Sequence, residues 1–198
     1  MTDTSLRTRK KEATRLQLMN VALRLFEEQG FDETTVEAIA GAAGVAPRTF
    51  FRYFPTKVDV LFADHPEEVE LIRGALADRS AGESVIEALR RAMLEGIEKA
   101  AADPSRFLTR SQLVASVPAA HSHSRYLDSK FEDVIAEAVA SDHGTDAATD
   151  LRARVIARVS WGAACAARDI WVTSGAKREP RALVNEAFDL LDLAISRG

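Results

Sequence analysis

Three side chains near residue 50 carry groups that recognise the edges of base pairs. Arg48 can bind guanine through two hydrogen bonds, Thr49 has a hydroxyl that donates or accepts, and Phe51 can contact the methyl group of thymine. Pro47 precedes them and suits the first position of a helix, because its missing N–H has no intrahelical partner there. The pattern indicates base recognition from the N-terminal end of a helix.

The surrounding residues predict two short helices joined by a tight turn. Thr34 offers an N-cap hydroxyl for the first helix, with Glu37 three residues on as its capping-box partner. Gly44 is the residue best able to take a positive φ at the turn. Ala40 is small enough to let the helices approach, and Phe50 is large enough to fill the space behind it. This is the packing of a helix-turn-helix.

The segment from Thr34 to Lys57 resembles the DNA-binding segment of TetR-family transcriptional repressors. The matching residues are Ile39-Ala40, Ala43-Gly44-Val45, Tyr53-Phe54 and Lys57. The run from Thr49 to Lys57 is also similar to an actinobacterial subgroup that includes mycofactocin-type regulators. Three positions depart from the family pattern, namely Ala46 in place of a capping serine, Phe51 in place of a tyrosine, and Pro55 in the following linker.

The helix ahead of this motif is predicted from an apolar stripe that ends at Gly30. Within the first 26 residues the chain has six basic and two acidic side chains, although its overall net charge is −4. Only a patch needs to be positive to bind DNA. We therefore expect phosphates to contact this basic segment. The stripe consists of Leu16, Met19, Leu23 and Phe26.

The predicted DNA contacts fall into two groups. Bases are expected to be read mainly by Arg48, Thr49 and Phe51, at the start of the second helix. Phosphates are expected at the basic segment and around the motif. The full predicted set is Arg9, Lys10, Lys11, Thr35, Pro47, Arg48, Thr49, Phe51, Arg52, Tyr53 and Lys57.

The remainder of the chain predicts further helices, so the expected class is all-α. Apolar residues recur at helical spacing between short breaks containing Pro or Gly, and no alternating strand pattern occurs. We expect a DNA-binding domain over 1–57 and a ligand-binding and dimerisation domain over 58–198. Helices are predicted at about 58–64, 66–79, 84–101, 105–117, 119–141, 147–173 and 180–197.

The last two predicted helices carry more than one apolar row each, which favours dimerisation. Two helices from each copy would form a four-helix bundle around a two-fold axis, as the resemblance also implies. A broad core stripe within a monomer is the alternative. The predicted interface residues are Leu151, Val155, Val159, Gly162, Ala166, Leu183, Ala187, Leu190, Leu191 and Ala194.

The resemblance implies that a small molecule binds in the second domain and controls the spacing of two DNA-binding heads. By the same resemblance, a fatty acyl-CoA or a similar apolar effector is the first choice. Each candidate contact has an alternative interpretation as ordinary core or surface. The candidates are Met93, Ile97, Phe107, Arg110, Tyr126 and Trp161.

Other functional classes find less support. His121 and His123 are two residues apart, so on a helix they point in different directions and make poor joint metal ligands. No phosphate-binding glycine loop and no Gly-x-Ser-x-Gly motif occur, so we expect no enzyme, metal or cofactor. Cys165 is the single cysteine and is predicted to be a small buried hydrophobe.

The sequence also predicts where the protein is located and which partners it has, and it leaves one alternative function open. No run of the chain is apolar enough to span a membrane, so no membrane partner is expected and the protein is predicted to be cytoplasmic. The expected partners are double-stranded operator DNA, a second copy of the chain and the effector. The rival is a helical protein-interaction module without specific DNA binding, in which the basic segment is only a solvated tail.

Overall fold

A computed structural model of the chain describes the backbone of residues 3–196 and the side chains of residues 9–193. Within these residues there are nine α-helices, one 3₁₀ helix and no strand, which confirms the all-α class. The α-helices are α1 (Asp3–Gln29), α2 (Val36–Ala42), α3 (Pro47–Tyr53), α4 (His65–Ala77), α5 (Val85–Ala101), α6 (Pro104–Ser116), α7 (Pro118–His143), α8 (Leu151–Thr173) and α9 (Pro180–Ser196), and the 3₁₀ helix is Val58–Phe62.

The observed helices begin and end close to the predicted positions, because most breaks carry residues with a definite local role. Gly30, Gly82, Gly144 and Gly175 all have positive φ at helix ends or in connections. The largest difference is the start of α8, predicted near residue 147. The helix instead begins after Asp150, whose carboxylate accepts hydrogen bonds from the backbone N–H groups of Arg152 and Ala153.

The chain divides into two compact units, and neither is a single continuous stretch. The first unit contains Met1–Ala63 and Thr109–Ser124, and the second contains Asp64–Leu108 and Arg125–Gly198. The end of α6 and the start of α7 therefore belong to the first unit. Ala120 is fully buried there.

The core of the first unit is formed by α1, α2, α3 and the 3₁₀ helix. Three members of the predicted α1 stripe are buried, whereas Leu16 is 37% exposed. Ile39 of α2 and Phe50 of α3 are fully buried in the same cluster. Burial of these two side chains fixes how α2 and α3 pack on α1. The buried stripe residues are Met19, Leu23 and Phe26.

The core of the second unit is built around α5, α7, α8 and α9. Trp171 of α8 and Phe188 of α9 are among its largest fully buried side chains. The buried face of α8 is otherwise made mostly of small residues, which lets neighbouring helices pack at short distance. These residues are Ala153, Ala157, Ser160, Ala164 and Ala167.

Candidate functional site

The turn between α2 and α3 has the geometry that the sequence predicted. Gly44 has a φ of +67°. The N–H of Val45 donates to the carbonyl of Ala40 at 2.9 Å, which closes the end of α2. Ala40 and Phe50 are both fully buried, the small residue at the crossing and the ring behind it. Backbone bonds and apolar packing together therefore hold the two helices in one arrangement.

The N-cap of α2 is Thr35, whereas the sequence analysis placed it at Thr34. The Thr35 hydroxyl oxygen accepts from the backbone N–H of Ala38 at 3.1 Å. Thr34 is fully buried, and its hydroxyl donates to the carbonyl of Gly30 at 2.8 Å. The shift of one residue leaves Thr35 exposed at the start of α2, at the positive end of the helix dipole.

Helix α3 presents the predicted base-reading side chains on its surface. Pro47 occupies its first turn, and Ala46 supplies no side-chain cap, in line with the departure noted in the sequence. Arg48 is exposed, and among the described residues its side chain makes no hydrogen bond or ion pair. Phe51 is 52% exposed although it is aromatic, with its ring 5.7 Å from that of Phe50. Thr49 is half-buried.

Arg52 and Tyr53 form a pair at the end of α3. The Arg52 guanidinium donates to the Tyr53 hydroxyl at 3.2 Å and lies 5.0 Å from the centre of its ring. Cation–π contact and the hydrogen bond both hold the guanidinium close to the helix. The pair therefore presents a positive charge beside a hydroxyl, a combination suited to a phosphate oxygen.

The basic residues of the N-terminal segment lie on α1 and differ in their surroundings. Arg9, Lys10 and Lys11 are exposed. Arg15 instead pairs with Glu12 at 2.8 Å and donates to the backbone carbonyl of Ala63. Arg15 thus ties α1 to the end of the 3₁₀ helix, and the exposed charges precede it.

Lys57 has partners within the chain. Its ammonium nitrogen lies 2.7 Å from the carbonyl oxygen of Phe31, and 3.1 Å from those of Asp32 and Thr34. It also lies 4.4 Å from the centre of the Phe31 ring. The predicted phosphate contact would have to compete with these groups.

The candidate effector contacts do not all belong to one unit. Arg110 lies in the first unit, whereas the other five candidates lie in the second. Ile97 and Trp161 are buried in the second unit's core, Met93 and Phe107 are half-buried, and Tyr126 is 59% exposed. Met93, Ile97, Phe107 and Trp161 are thus interior residues of the second unit, whereas Tyr126 is at its surface and Arg110 belongs to the first unit.

Two tryptophans place indole N–H groups in this apolar interior, and only one of these groups has a hydrogen-bond partner among the described residues. Trp161 stacks on Phe131 with ring centres 4.1 Å apart, and its indole N–H donates to Asp128 at 3.1 Å. Trp171 was not among the candidates predicted from the sequence. The centre of its ring lies 5.0 Å from that of Phe107. Among the described side chains, the buried indole nitrogen of Trp171 and the buried hydroxyl of Ser160 have no hydrogen-bond partner. An unpaired buried donor is costly, so a polar ligand atom at Trp171 would be stabilised.

The predicted dimerisation helices expose large apolar side chains. On α8, Leu151 is 77% exposed, Val155 50% and Val159 42%. On α9, Leu190 is 60% exposed. Ile170 and Leu193, which were absent from the predicted interface set, are 48% and 51% exposed. Contiguous exposed apolar residues of this kind typically mark an interaction surface.

The other predicted interface residues differ from one another. Gly162 and Ala166 are exposed and Ala187 is half-buried. Leu183 and Leu191 are buried within the core of the second unit, together with Val184 and Phe188 of the same helix. We therefore assign these two residues to the core. Ala194 lies outside the residues whose side chains the structure describes.

The remaining polar and titratable candidates have local partners. Cys165 is half-buried, and burial raises the pKa of its thiol to about 11, so it is protonated at neutral pH. Arg168 pairs with its neighbour Asp169 at 3.3 Å within the same chain. His123 lies 3.5 Å from Asp59.

None of the helices in the described part of the chain has both the length and the apolar character that crossing a membrane requires.

Two family models match the chain over most of its length. Residues 18–63 match the model described as "Bacterial regulatory proteins, tetR family", and residues 83–195 match the "MftR C-terminal domain". The first match contains the helix-turn-helix, and the second contains α8, nearly all of α9 and the interior residues described above.

Two related sequences are similar over long stretches. The HTH-type transcriptional regulator TcmR of Streptomyces glaucescens is 36% identical over 160 residues, which cover 78% of this chain and 71% of TcmR. The protein named "Putative mycofactocin biosynthesis transcriptional regulator MftR", from Mycobacterium tuberculosis, is 28% identical over 189 residues, covering 96% and 94% of the two chains.

Solved structures share the fold. FadR of Bacillus halodurans, a fatty acid degradation regulator, is 23% identical with a TM-score of 0.63, covering 89% of this chain and 93% of that one. Thermus thermophilus FadR in complex with lauroyl-CoA is 25% identical with a TM-score of 0.56, covering 89% and 92%. Helix-turn-helix geometry, both family models and these relatives agree, and the chain belongs to the TetR family of transcriptional regulators, not to a class of enzymes.

Proposed function

We propose that the chain is a homodimeric repressor that binds a palindromic operator through α3 and is released when an apolar small molecule binds the second unit. The main support for the proposal is that α3 exposes side chains able to contact bases. Arg48 and Phe51 are exposed at the N-terminal part of a helix whose other face is locked into the core by Phe50. A helix held in this way can enter the major groove without rearranging its own unit.

The proposed DNA contacts are of two kinds, contacts to base edges and contacts to phosphates. Arg48 reads a guanine, Phe51 contacts a thymine methyl, and Thr49 contacts a neighbouring base edge. Phosphates are held by side chains at helix ends and on α1, and these contacts fix the position of α3 without reading sequence. Pro47 approaches the DNA backbone beside these phosphates. The phosphate-contacting residues are Arg9, Lys10, Lys11, Thr35, Arg52 and Tyr53.

The exposed apolar side chains on α8 and α9 support dimerisation through these two helices. Regulators of the TetR family act as dimers, and a second copy would cover Leu151, Val155 and Leu190. Two α3 helices held by one bundle would read half-sites separated by about one helical turn of DNA or more. The operator is therefore expected to be a palindrome.

The effector is proposed to be a fatty acyl-CoA. The similarity to Thermus thermophilus FadR, which was solved with lauroyl-CoA, supports this class. The interior of the second unit offers Met93 and Phe107 as half-buried apolar surface. The buried indole N–H of Trp171 can donate to a carbonyl oxygen of such a ligand.

The test is fluorescence anisotropy with the purified full chain and DNA from the promoter region of its own gene neighbourhood. We expect a salt-sensitive complex at least ~10³-fold tighter than that with random DNA. Lauroyl-CoA should release the DNA, whereas free coenzyme A should not. Absence of any salt-sensitive specific complex would favour an interaction module without DNA binding. A specific complex that lauroyl-CoA leaves intact would remove only the effector assignment.

A further inference from the structure

The ammonium group of Lys57 lies among three backbone carbonyls. Phe31, Asp32 and Thr34 supply oxygen atoms at 2.7, 3.1 and 3.1 Å from the lysine nitrogen. These are ordinary lengths for N–H···O hydrogen bonds. Because an ammonium has three protons, each proton has an acceptor inside the chain.

The aromatic ring of Phe31 adds a fourth interaction. Its centre lies 4.4 Å from the lysine nitrogen, within the range of a cation–π contact. Phe31 is itself only 8% exposed, and Lys57 is half-buried, so the charge is partly withdrawn from water. A phosphate would have to draw the ammonium away from three acceptors and this ring.

The three carbonyls belong to one short segment, residues 31–34, between the end of α1 and the N-cap of α2. The buried hydroxyl of Thr34 also holds this segment, because it donates to the carbonyl of Gly30 at 2.8 Å. Thr35 follows immediately and caps α2. The position of Thr35 therefore depends on a segment fixed by Lys57 and by the Thr34 hydroxyl.

We propose that Lys57 is a positioning residue, which fixes the connection between α1 and α2 and thereby the N-terminal end of α2 that faces the DNA. This assignment rests on the proposed function. Its difference from a phosphate contact is measurable, because the two roles affect salt dependence differently. A phosphate contact contributes about 0.9 to the slope of log affinity against log salt concentration. A positioning residue lowers affinity at all salt concentrations without that change in slope.

The variants Lys57→Met and Lys57→Arg separate the two roles. Methionine keeps an unbranched stem without charge or donors. Arginine keeps the charge, but its planar guanidinium spreads its donors and cannot converge on three oxygens around one nitrogen. We expect both variants to lose about tenfold in operator affinity, which corresponds to ordering about one backbone residue on binding. The salt slope should remain that of the unchanged protein. Lys10→Ala is the matched control, since it removes an exposed charge on α1 and should lower the slope by about 0.9.

Hydrogen exchange of the unbound full chain provides a readout independent of DNA. In Lys57→Met and Lys57→Arg, the amides at the start of α2, including the Ala38 N–H bonded to Thr35, should exchange about tenfold faster or more, while those of α8 stay unchanged. A slope reduced by about 0.9 in Lys57→Met, with Lys57→Arg binding like the unchanged protein, would overturn the proposal. Unchanged exchange at α2 would also overturn it. Should the unchanged protein bind no operator, the proposed function fails, and exchange alone decides the role of Lys57.

Discussion

Arg48 is the side chain on which sequence recognition depends most. Its guanidinium is exposed on α3 and has no hydrogen-bond or ion-pair partner among the described residues. No such interaction therefore has to be broken when Arg48 binds a base. Arg52, four residues on, is held against Tyr53 and is suited to a phosphate. Two arginines on one short helix thus have different surroundings and different expected roles.

Replacing Arg48 by Ala should relax specificity at one base pair. Loss of a bidentate contact to guanine removes ~1–3 kcal/mol of discrimination at that position and leaves the others unchanged. The measurement is operator affinity against a panel of single-base variants. Lys10→Ala serves as the control, because it should weaken all sequences alike. Equal loss on operator and random DNA for Arg48→Ala would rule out base reading by this residue.

Two neighbouring threonines illustrate what the sequence could and could not predict at this scale. Thr34 and Thr35 both carry hydroxyls able to cap a helix, and Glu37 favoured Thr34 through the capping-box spacing. Burial decided otherwise, because Thr34 is fully enclosed and bonds back to the end of α1. The partners of Lys57 were hidden for the same reason, since backbone carbonyls more than twenty residues away leave no pattern in the sequence.

At the scale of elements, the helix boundaries were largely predictable, and the faces that the helices bury were less so. Pro and Gly breaks gave most boundaries through local backbone rules. On α9, two parallel apolar rows left the inward direction undecided. Leu183 and Leu190 lie two turns apart on the same side of α9, yet Leu183 is buried in the core and Leu190 is exposed. Helical spacing alone therefore did not predict which residues of α9 are buried against α8 and α5. The assignment of residues 109–124 to the first unit likewise depends on tertiary packing.

The turn between α2 and α3 depends on the backbone of Gly44. Its φ of +67° disfavours any residue with a Cβ, although an added Cβ would meet no atom within 4 Å. Gly44→Ala should therefore lower the free energy of unfolding by ~1–2 kcal/mol through backbone strain alone. Urea unfolding of the full chain measures the change.

Gly41 provides the matched control for that substitution. It lies within α2, has no positive φ, and an added Cβ there also meets nothing within 4 Å. Gly41→Ala should leave stability unchanged or raise it by up to ~1 kcal/mol, because alanine is the better helix former. If both variants were equally stable, the positive φ at the turn would not be a constraint on the motif.

At the scale of the whole molecule, the exposed apolar side chains on α8 and α9 are the surface that the proposed second copy would cover. Leu151, Val155 and Leu190 together would place a large apolar area in water in a lone chain. A small change in how two copies meet would alter the spacing of two recognition helices. Dimerisation and effector response are thus expected to share α8, whose opposite face is buried in the interior of the second unit.

The double variant Val155→Arg with Leu190→Arg should be a folded monomer with little operator affinity. Both positions are at least half exposed in one chain, so arginine costs its fold little, whereas two unpaired charges inside the interface cost several kcal/mol. Sedimentation velocity and circular dichroism measure mass and helix content. Tyr126→Arg is the control, since Tyr126 is 59% exposed on α7, which carries neither apolar row, and its variant should remain a dimer. A double variant that still sediments as a dimer would place the interface elsewhere.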